Sequence, residues 1–258
     1  MWGDVTPAER LRALARRGSG DDLAAAAAAA LAGYSSEPAA LVVACRRVIA
    51  HHPADPGLLW ACSRLLTAAD PADEAETVVE ALRTDPTGRN LGRALPLVPE
   101  GGIVATLGWT RAIDEACAER TDLPIVVYRV RGADPTGALR HRLTDRTVRV
   151  LESWAAPAGP VAVLLVPALV LGPDGALVSA DTEDLLAALA PTRSWLVVPE
   201  GHCLPGALAR RIGDAAGPDY RLVPNHRFDR ATGPRGSAPA SEIALRPNCA
   251  VATEILRG

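Results

Sequence analysis

The sequence predicts an α/β protein in which a helical N-terminal domain precedes a Rossmann-like, mostly parallel sheet with one hairpin. Residues 5–95 place apolar side chains at helical spacing between loop signals. Beyond residue 99, short apolar runs alternate with helical segments, which is typical of a parallel sheet covered by helices. Gly172-Pro173-Asp174-Gly175 joins two apolar runs, and Asp-Gly there predicts a tight hairpin turn. We therefore expect a helical domain over residues 1–95 and a ligand-binding α/β domain over residues 96–258.

Start and stop signals set the helices of the first domain. An alanine-rich helix is predicted after Asp21-Asp22, ending near Gly33. Further helices are predicted over Pro38–His51, with Ser35 or Ser36 as its cap, and over residues 57–68 and 72–83. The Pro- and Gly-containing segment Thr84–Gly88 is predicted to be a loop.

The second domain begins with a buried strand. Strands are predicted at 103–107, 124–128, 147–151, 194–198 and 220–223, in addition to the two hairpin strands within 161–178. Helices are predicted from residue 108 to about 119, at 136–143, from Asp181 or Thr182, and at 205–213. The segment from Gly233 to Pro239 is predicted to be irregular.

Charge and composition exclude several classes of function. The net charge of −3 provides no basic surface for nucleic acid or for an anionic membrane. All 27 Lys and Arg residues are arginine, so neither a Schiff-base lysine nor a Walker-A loop exists. Five cysteines without a CxxC pair predict reduced thiols, and the polar N-terminus does not resemble a signal peptide, so we expect a cytoplasmic protein. No cofactor and no metal are predicted, since His51-His52 lacks matching ligand spacing.

Several short phrases share their order and spacing with one superfamily. They are Ala54–Leu59 with Ser63–Leu66, Gly102–Thr106, Pro124–Arg131, Leu171–Val178, Trp195–Glu200, Tyr220–Pro224 and Thr232–Gly236. Together they resemble the superfamily of methylthioribose-1-phosphate isomerases, ribose-1,5-bisphosphate isomerases and the regulatory subunits of eukaryotic translation initiation factor 2B. The resemblance covers nearly the whole chain, and it implies a homodimer built through the α/β domain.

The resemblance also implies where the chemistry would lie. The isomerases move a proton between sugar carbons with a cysteine after the first strand and an aspartate before the hairpin. Those positions fall on Leu107 and Leu169 here, and neither side chain can carry a proton. The Asn-Lys pair of the family falls on Ser179 and Ala180. We therefore expect no catalytic residues at the inherited centre.

The candidate ligand-binding residues are expected to line one crevice outside the carboxyl ends of the strands. They are Gly108, Thr110 and Arg111 at a helix start, Arg129 and Arg131 after the second strand, and His202 and Cys203 after a later strand. A helix N-terminus and arginines favour an anion such as a phosphate. Alternatively, Gly108 only makes a turn and the arginines are solvated.

Three functions remain open from the sequence. The first is a non-catalytic, regulatory protein that binds a sugar phosphate, a nucleotide or a partner protein. The second is a phosphosugar isomerase with relocated acid/base residues, for which Cys203, His202 and Asp181 are candidates. The third is a purely structural subunit. Trp60 and Trp195 are predicted to be core residues, whereas Trp109 either lines the pocket or anchors packing.

Overall fold

The computed structural model describes residues 9, 13, 21–98, 100–120, 122–129, 148–151 and 159–256. The chain divides into two compact units. The helical unit comprises Met1–Asp85, Glu200–Gly217 and Arg246–Gly258, and the α/β unit comprises Pro86–Pro199 and Pro218–Leu245. The prediction had one boundary at residue 95, whereas here the α/β unit begins at residue 86 and the helical unit also includes residues 200–217 and 246–258.

Helices and strands are numbered here in chain order within the described residues. The helices are α1 (Asp21–Leu31), α2 (Pro38–His51), α3 (Pro56–Thr67), α4 (Pro71–Arg83), α5 (Thr87–Ala94), α6 (Arg111–Glu119), α7 (Thr182–Leu189), α8 (Gly206–Ala215) and α9 (Ala240–Ala244). The strands are β1 (Ile103–Leu107), β2 (Ile125–Tyr128), β3 (Val148–Leu151), β4 (Val161–Gly172), β5 (Gly175–Ser179), β6 (Ser194–Val197), β7 (Tyr220–Val223), β8 (Arg230–Gly233) and β9 (Gly236–Ala238).

The helices of the helical unit follow their local signals closely. Helix α2 has the predicted bounds, and α3 and α4 each begin one residue earlier than predicted, at a proline. The Asp55 carboxylate accepts a hydrogen bond from the Leu58 N–H at 2.9 Å and so caps α3. The predicted serine cap of α2 is wrong: the residue before α2 is Glu37, which makes no side-chain cap bond.

Helix α5 is a correction, because its first turn was predicted as part of a loop. It begins at Thr87 and packs on α6 through two glycines, Gly88 and Gly92. A Cβ added to Gly88 would lie 2.5 Å from the Glu115 Cβ, so only glycine allows the helices this close. The helix is therefore held by packing, which local sequence signals do not show.

The sheet confirms the predicted α/β class. Its strand order is β3-β2-β1-β4-β6-β8-β9, and the pairs from β3 to β8 are all parallel. Strand β5 turns back antiparallel on β4 at the predicted hairpin and also pairs with β7. The irregular segment predicted at 233–239 is wrong, because β8 and β9 form an antiparallel pair there.

Each of the two compact units has buried side chains at its core. Trp195 on β6 is 2% exposed and packs with α5, α6 and the first strands, and Trp60 in the helical unit is fully buried, as predicted.

All five cysteines lie in the described residues, and no disulfide joins them. The helix predicted at 136–143 lies outside the described residues. Within the described part of the chain, every helix is too short or too polar to cross a bilayer.

Candidate ligand-binding site

The strand order places a topological switch point between β1 and β4. From β1 the chain continues to β2 and β3 on one side, and it then crosses to β4 on the other side of β1. In such sheets the crevice outside the carboxyl ends of the two strands is the usual place for a ligand. The last paired residues of these two strands are Thr106 on β1 and Leu165 on β4. Gly108 and Leu169 come shortly after them, on the carboxyl side.

The switch point carries two leucines where the resemblance places a cysteine and an aspartate. Leu107 is the last residue of β1 and is 2% exposed. Leu169 is half-buried and lies at a bulge, where the register between β4 and β5 shifts between Ala168 and Val170. Bulges often re-aim a side chain beside a functional site. Neither leucine can donate or accept a proton.

Gly108 makes the turn from β1 to α6 and is fixed by two hydrogen bonds. Its φ of 76° is in the left-handed region, which glycine adopts without a steric penalty. Its N–H donates to the Tyr128 carbonyl at 2.8 Å, and its carbonyl accepts from the Thr106 hydroxyl at 3.0 Å. The Gly108 N–H is thus already engaged, so the turn geometry alone accounts for the glycine.

Thr110 and Arg111 serve the helix that they begin. The Thr110 hydroxyl accepts a hydrogen bond from the Ile113 N–H at 3.4 Å, a long N-cap contact. The Arg111 Nε forms an ion pair with the Glu115 carboxylate at 2.8 Å, one turn further along α6. Because the Arg111 side chain is 51% exposed, this pair lies in water-accessible surroundings and stabilises the helix only slightly.

The second strand places one predicted arginine at the same edge of the sheet. Arg129 follows β2, is exposed, and donates its backbone N–H to the Leu151 carbonyl at 3.2 Å. Since Leu107 pairs with Tyr128, Gly108 and Arg129 follow neighbouring strand ends. Arg131 lies outside the described residues. The structure therefore brings part of the predicted set, Gly108, Thr110, Arg111 and Arg129, to one end of the sheet.

Trp109 acts as a packing residue. It is partly buried against the core cluster that includes Leu91, Ile113 and Trp195. Its indole Nε1 is buried and has no hydrogen-bond partner among the described residues. The packing interpretation of Trp109 is thus the one that its contacts support.

His202 and Cys203 belong to the helical unit, as does Gly201 before them. Both side chains are half-buried. Burial raises the pKa of the nearby Cys249 thiol to about 12, and the neighbouring Cys203 sulfur adds to the increase. This shift is opposite to the one that would make Cys249 a nucleophilic thiol.

A partly buried polar network in the helical unit was not predicted from the sequence. The Trp60 indole donates to the Asn248 Oδ1 at 2.8 Å, and the Asn248 amide donates in a short contact to the Glu200 carboxylate. The Glu200 N–H donates to the Asp85 carboxylate at 3.0 Å. Burial raises the pKa of the Glu200 carboxyl above its ordinary value, and the hydrogen bond from Asn248 partly opposes this. The partners are up to 188 residues apart in sequence, so no local pattern indicates the network.

Metal ligands are not clustered in the part of the chain that the structure describes. No group of three or more His, Cys, Asp or Glu side chains there is arranged to hold an ion.

Several solved structures with the same fold are translation initiation factors or their subunits. The β subunit of eIF2B from Chaetomium thermophilum superimposes with a TM-score of 0.69 at 13% identity, over 94% of this chain and 92% of that chain. A chain of the tetrameric eIF2B-β2-δ2 complex from C. thermophilum gives 0.68 at 13% identity, over 93% of both chains. The initiation factor eIF-2B of Pyrococcus horikoshii OT3 gives 0.65 at 13% identity, over 90% and 96%.

Sequence comparison gives no such match: no protein-family model and no curated protein matches the chain. The structural likeness extends over nearly the full length of each neighbour and includes both the helical part and the sheet. The chain therefore has the fold of the eIF2B subunits, and the resemblance inferred from its sequence phrases is confirmed at the level of the fold.

Proposed function

We propose that this protein is a non-catalytic relative of the phosphosugar isomerases and eIF2B subunits that binds a sugar phosphate or a nucleotide in a regulatory role. One observation carries the proposal: at the β1–β4 switch point, the two positions where the resemblance places the acid/base pair of the isomerases are Leu107 and Leu169. A role in translation is not included, because a shared fold at 13% identity assigns no function.

Physical chemistry makes this observation decisive for catalysis. Moving a proton between adjacent sugar carbons requires a titratable group within hydrogen-bond reach of the substrate. Leucine has none, and general acid–base catalysis contributes roughly 10²–10⁴-fold to a rate. The exposed arginines at the same sheet edge, Arg111 and Arg129, still provide positive charge for a phosphate, and binding needs no proton transfer.

The experiment has two arms on the full chain. Nuclear magnetic resonance of methylthioribose-1-phosphate and ribose-1,5-bisphosphate incubated with the protein should show no isomerisation. Thermal denaturation with the same sugar phosphates and with nucleotides should show a midpoint that rises with ligand concentration. Leu169→Glu should reduce that rise by repelling phosphate, whereas Leu97→Glu, at a site 86% exposed, should leave it unchanged.

The outcomes separate the candidate functions. Turnover by the wild-type chain would disprove the non-catalytic function. No midpoint shift with any of these ligands would instead favour a structural subunit. A midpoint shift that is as large in Leu169→Glu as in the wild type would place the ligand elsewhere.

The alternative is an isomerase with relocated acid/base residues. One observation favours it: Asp181, just after β5, is a carboxyl group that is only 8% exposed. If turnover is found, Asp181→Asn should abolish it, and His202→Ala and Cys203→Ala test the two other candidates. An activity unchanged in all three variants would remove this alternative.

We also propose that the protein forms a homodimer through the α/β unit. Strand β7 pairs only with β5 among the described strands, so its other edge offers unpaired backbone groups. Tyr220 and Leu222 on this strand are 37% and 59% exposed. Sedimentation analysis should give a dimer for the wild type and for Leu97→Glu but a monomer for Leu222→Glu. A monomeric wild type, or a dimer that survives Leu222→Glu, would contradict the proposed interface.

A further inference from the structure

A second cleft in the α/β unit lies away from the switch point. It has a volume of about 480 Å³ and lies between the last turn of α5, the starts of β6 and β8, and strand β9. Its polar lining consists of three arginines, a tryptophan, an asparagine and a serine: Arg93, Arg193, Arg230, Trp195, Asn90 and Ser237. We call it the arginine cleft.

The arginine cleft opens at the opposite ends of the strands from the switch point. Arg193 immediately precedes β6 and Arg230 is the first residue of β8. These strands are parallel, with Trp195 beside Arg230. The cleft therefore lies at the amino ends of strands whose carboxyl ends face the switch-point edge, and a ligand here would be distinct from one bound near Leu107.

The charge of the cleft is unbalanced. Within the described part of the chain, neither Arg93, Arg193 nor Arg230 forms an ion pair with a carboxylate, and no acidic residue lines the cleft. The neighbouring acid in sequence, Asp229, does not line the cleft, and its carboxylate accepts hydrogen bonds from the Ser194 N–H and hydroxyl. Three arginines that line one cleft without an acidic residue among the lining attract an anion.

Arg230 is held in place before any ligand arrives. Its Nε donates to the Ser237 hydroxyl at 3.1 Å and its Nη2 donates to the Ser237 carbonyl at 3.0 Å. Its guanidinium carbon lies 5.9 Å from the centroid of the Trp195 ring, within cation–π range. These contacts leave the Nη1 hydrogens for a ligand, so little side-chain entropy is lost when an anion binds.

The turn between β8 and β9, beside the cleft, is hydrogen-bonded to α5. The Asn90 amide nitrogen donates to the Gly233 and Pro234 carbonyls, each at 3.0 Å. This contact ties the helix that carries Arg93 to the turn between β8 and β9. The arginines of the cleft are thus mounted on elements that are joined to one another.

An unpaired buried donor is the second, independent sign of a ligand. Trp195 lines the cleft and is 2% exposed, yet its indole Nε1 has no hydrogen-bond partner among the described residues. A buried N–H without an acceptor is destabilising, and native proteins rarely tolerate one without a bound water, ion or functional reason. Because the indole nitrogen is itself buried, an anion in the cleft would reach it only after the ring or its neighbours move.

We propose that the arginine cleft is a phosphate-binding site for a small organic phosphate. Guanidinium groups bind phosphate oxygens through paired, charge-assisted hydrogen bonds, and Arg230 presents such a fork in a fixed orientation. The volume suits a small molecule rather than a polymer. The site does not depend on the function proposed for the switch point, since none of its residues lies there.

Calorimetric titration of the full chain with pyrophosphate, at low salt, tests the site. Wild type should bind with a dissociation constant in the millimolar range or tighter, and added salt should weaken binding. The double variant Arg93→Gln/Arg193→Gln removes two exposed side chains of the cleft and should weaken binding about tenfold or more.

The matched control is Arg89→Gln/Arg149→Gln. Both of these arginines are exposed in the α/β unit and lie outside the cleft lining, so this variant has the same change of net charge. Its affinity should stay within about twofold of wild type. An equal loss in both double variants would show a diffuse charge effect and overturn the site, as would a wild type that shows no binding at millimolar pyrophosphate.

A conservative variant isolates the indole donor. Trp195→Phe keeps an aromatic ring beside Arg230 but removes the N–H, and it should weaken pyrophosphate binding severalfold. If this variant fails to fold, the exposed double variant decides the question alone. Binding of an acidic peptide in place of pyrophosphate would also refute the proposal, because it would identify a protein partner.

Discussion

The contact between α5 and α6 allows a stringent test of the packing, because it depends on one missing atom. A Cβ added to Gly88 would lie 2.5 Å from the Glu115 Cβ, 2.6 Å from its Oε2 and 2.9 Å from the Ala112 carbonyl oxygen. Carbon atoms in contact are normally about 3.5–4.0 Å apart. The Gly88→Ala substitution therefore forces the two helices apart by roughly 1 Å.

The size of the effect follows from two opposing contributions. Overpacking of this kind costs about 1–3 kcal/mol. Alanine in a helix returns up to about 1 kcal/mol relative to glycine. Since the crowded atoms include backbone, which yields less than a flexible side chain, we expect the free energy of unfolding to fall by about 1–2 kcal/mol.

A matched substitution separates packing from propensity. Gly213 lies in α8, and an added Cβ there would have nothing within 4 Å. Gly213→Ala should therefore stabilise the protein, by up to about 1 kcal/mol. Both variants are compared with wild type by urea denaturation followed by far-ultraviolet circular dichroism.

The reasoning is refuted if Gly88→Ala is as stable as wild type or more stable. That result would mean that α5 can move away from α6 without loss, so the close contact would not be needed. If both alanine variants are destabilised, helix propensity and packing do not explain the changes in the free energy of unfolding at these two glycines. Because the glycines lie in different compact units, separate transitions would be assigned by which variant shifts each one.

Two further predictions concern the helical unit. Asp55→Ala should lower the free energy of unfolding by about 1–2 kcal/mol, because the Leu58 N–H loses its hydrogen-bond acceptor. Glu37→Ala removes no cap bond and should change the free energy of unfolding by less than about 0.5 kcal/mol. Equal effects of the two variants in denaturant titrations would contradict the capping role of Asp55. The raised pKa of Glu200 means that the unfolded chain releases this proton first, so wild-type stability should fall as pH rises from near 4.5 through the folded pKa. Glu200→Gln keeps the acceptor for Asn248 but should lose this pH dependence, and an unchanged profile in thermal melts over that range would show that burial of the carboxyl has no such cost.

Much of the fold was predictable because its signals are local. The bounds of α2 and β1 agree with prediction to the residue, since helical spacing and a short apolar run each specify one structure. The hairpin at Gly172–Gly175 agrees for the same reason, because Asp-Gly suits only a narrow set of turns.

The candidate site was predictable only in part. The strand ends at Gly108 and Arg129 could be placed together from the order of strands, because parallel strands share an edge. The roles of Thr110 and Arg111 could not, because the Thr110 hydroxyl accepts from the Ile113 N–H and Arg111 pairs with Glu115, and residue type alone does not show these contacts. Which groups are engaged is a property of side-chain geometry and not of residue type.

The sequence by itself determined the class of the fold, the strands and helices with strong local signals, and the absence of proton-carrying side chains at positions 107 and 169. Only the tertiary structure decided the helix at 87–94 and the β8–β9 pair, since glycine, serine and alanine there form regular structure only when a neighbour covers or pairs with them. It likewise decided the arginine cleft and the Trp60–Asn248–Glu200 network. Their members are far apart in sequence, and burial and charge become meaningful only when the fold brings such residues within hydrogen-bond distance.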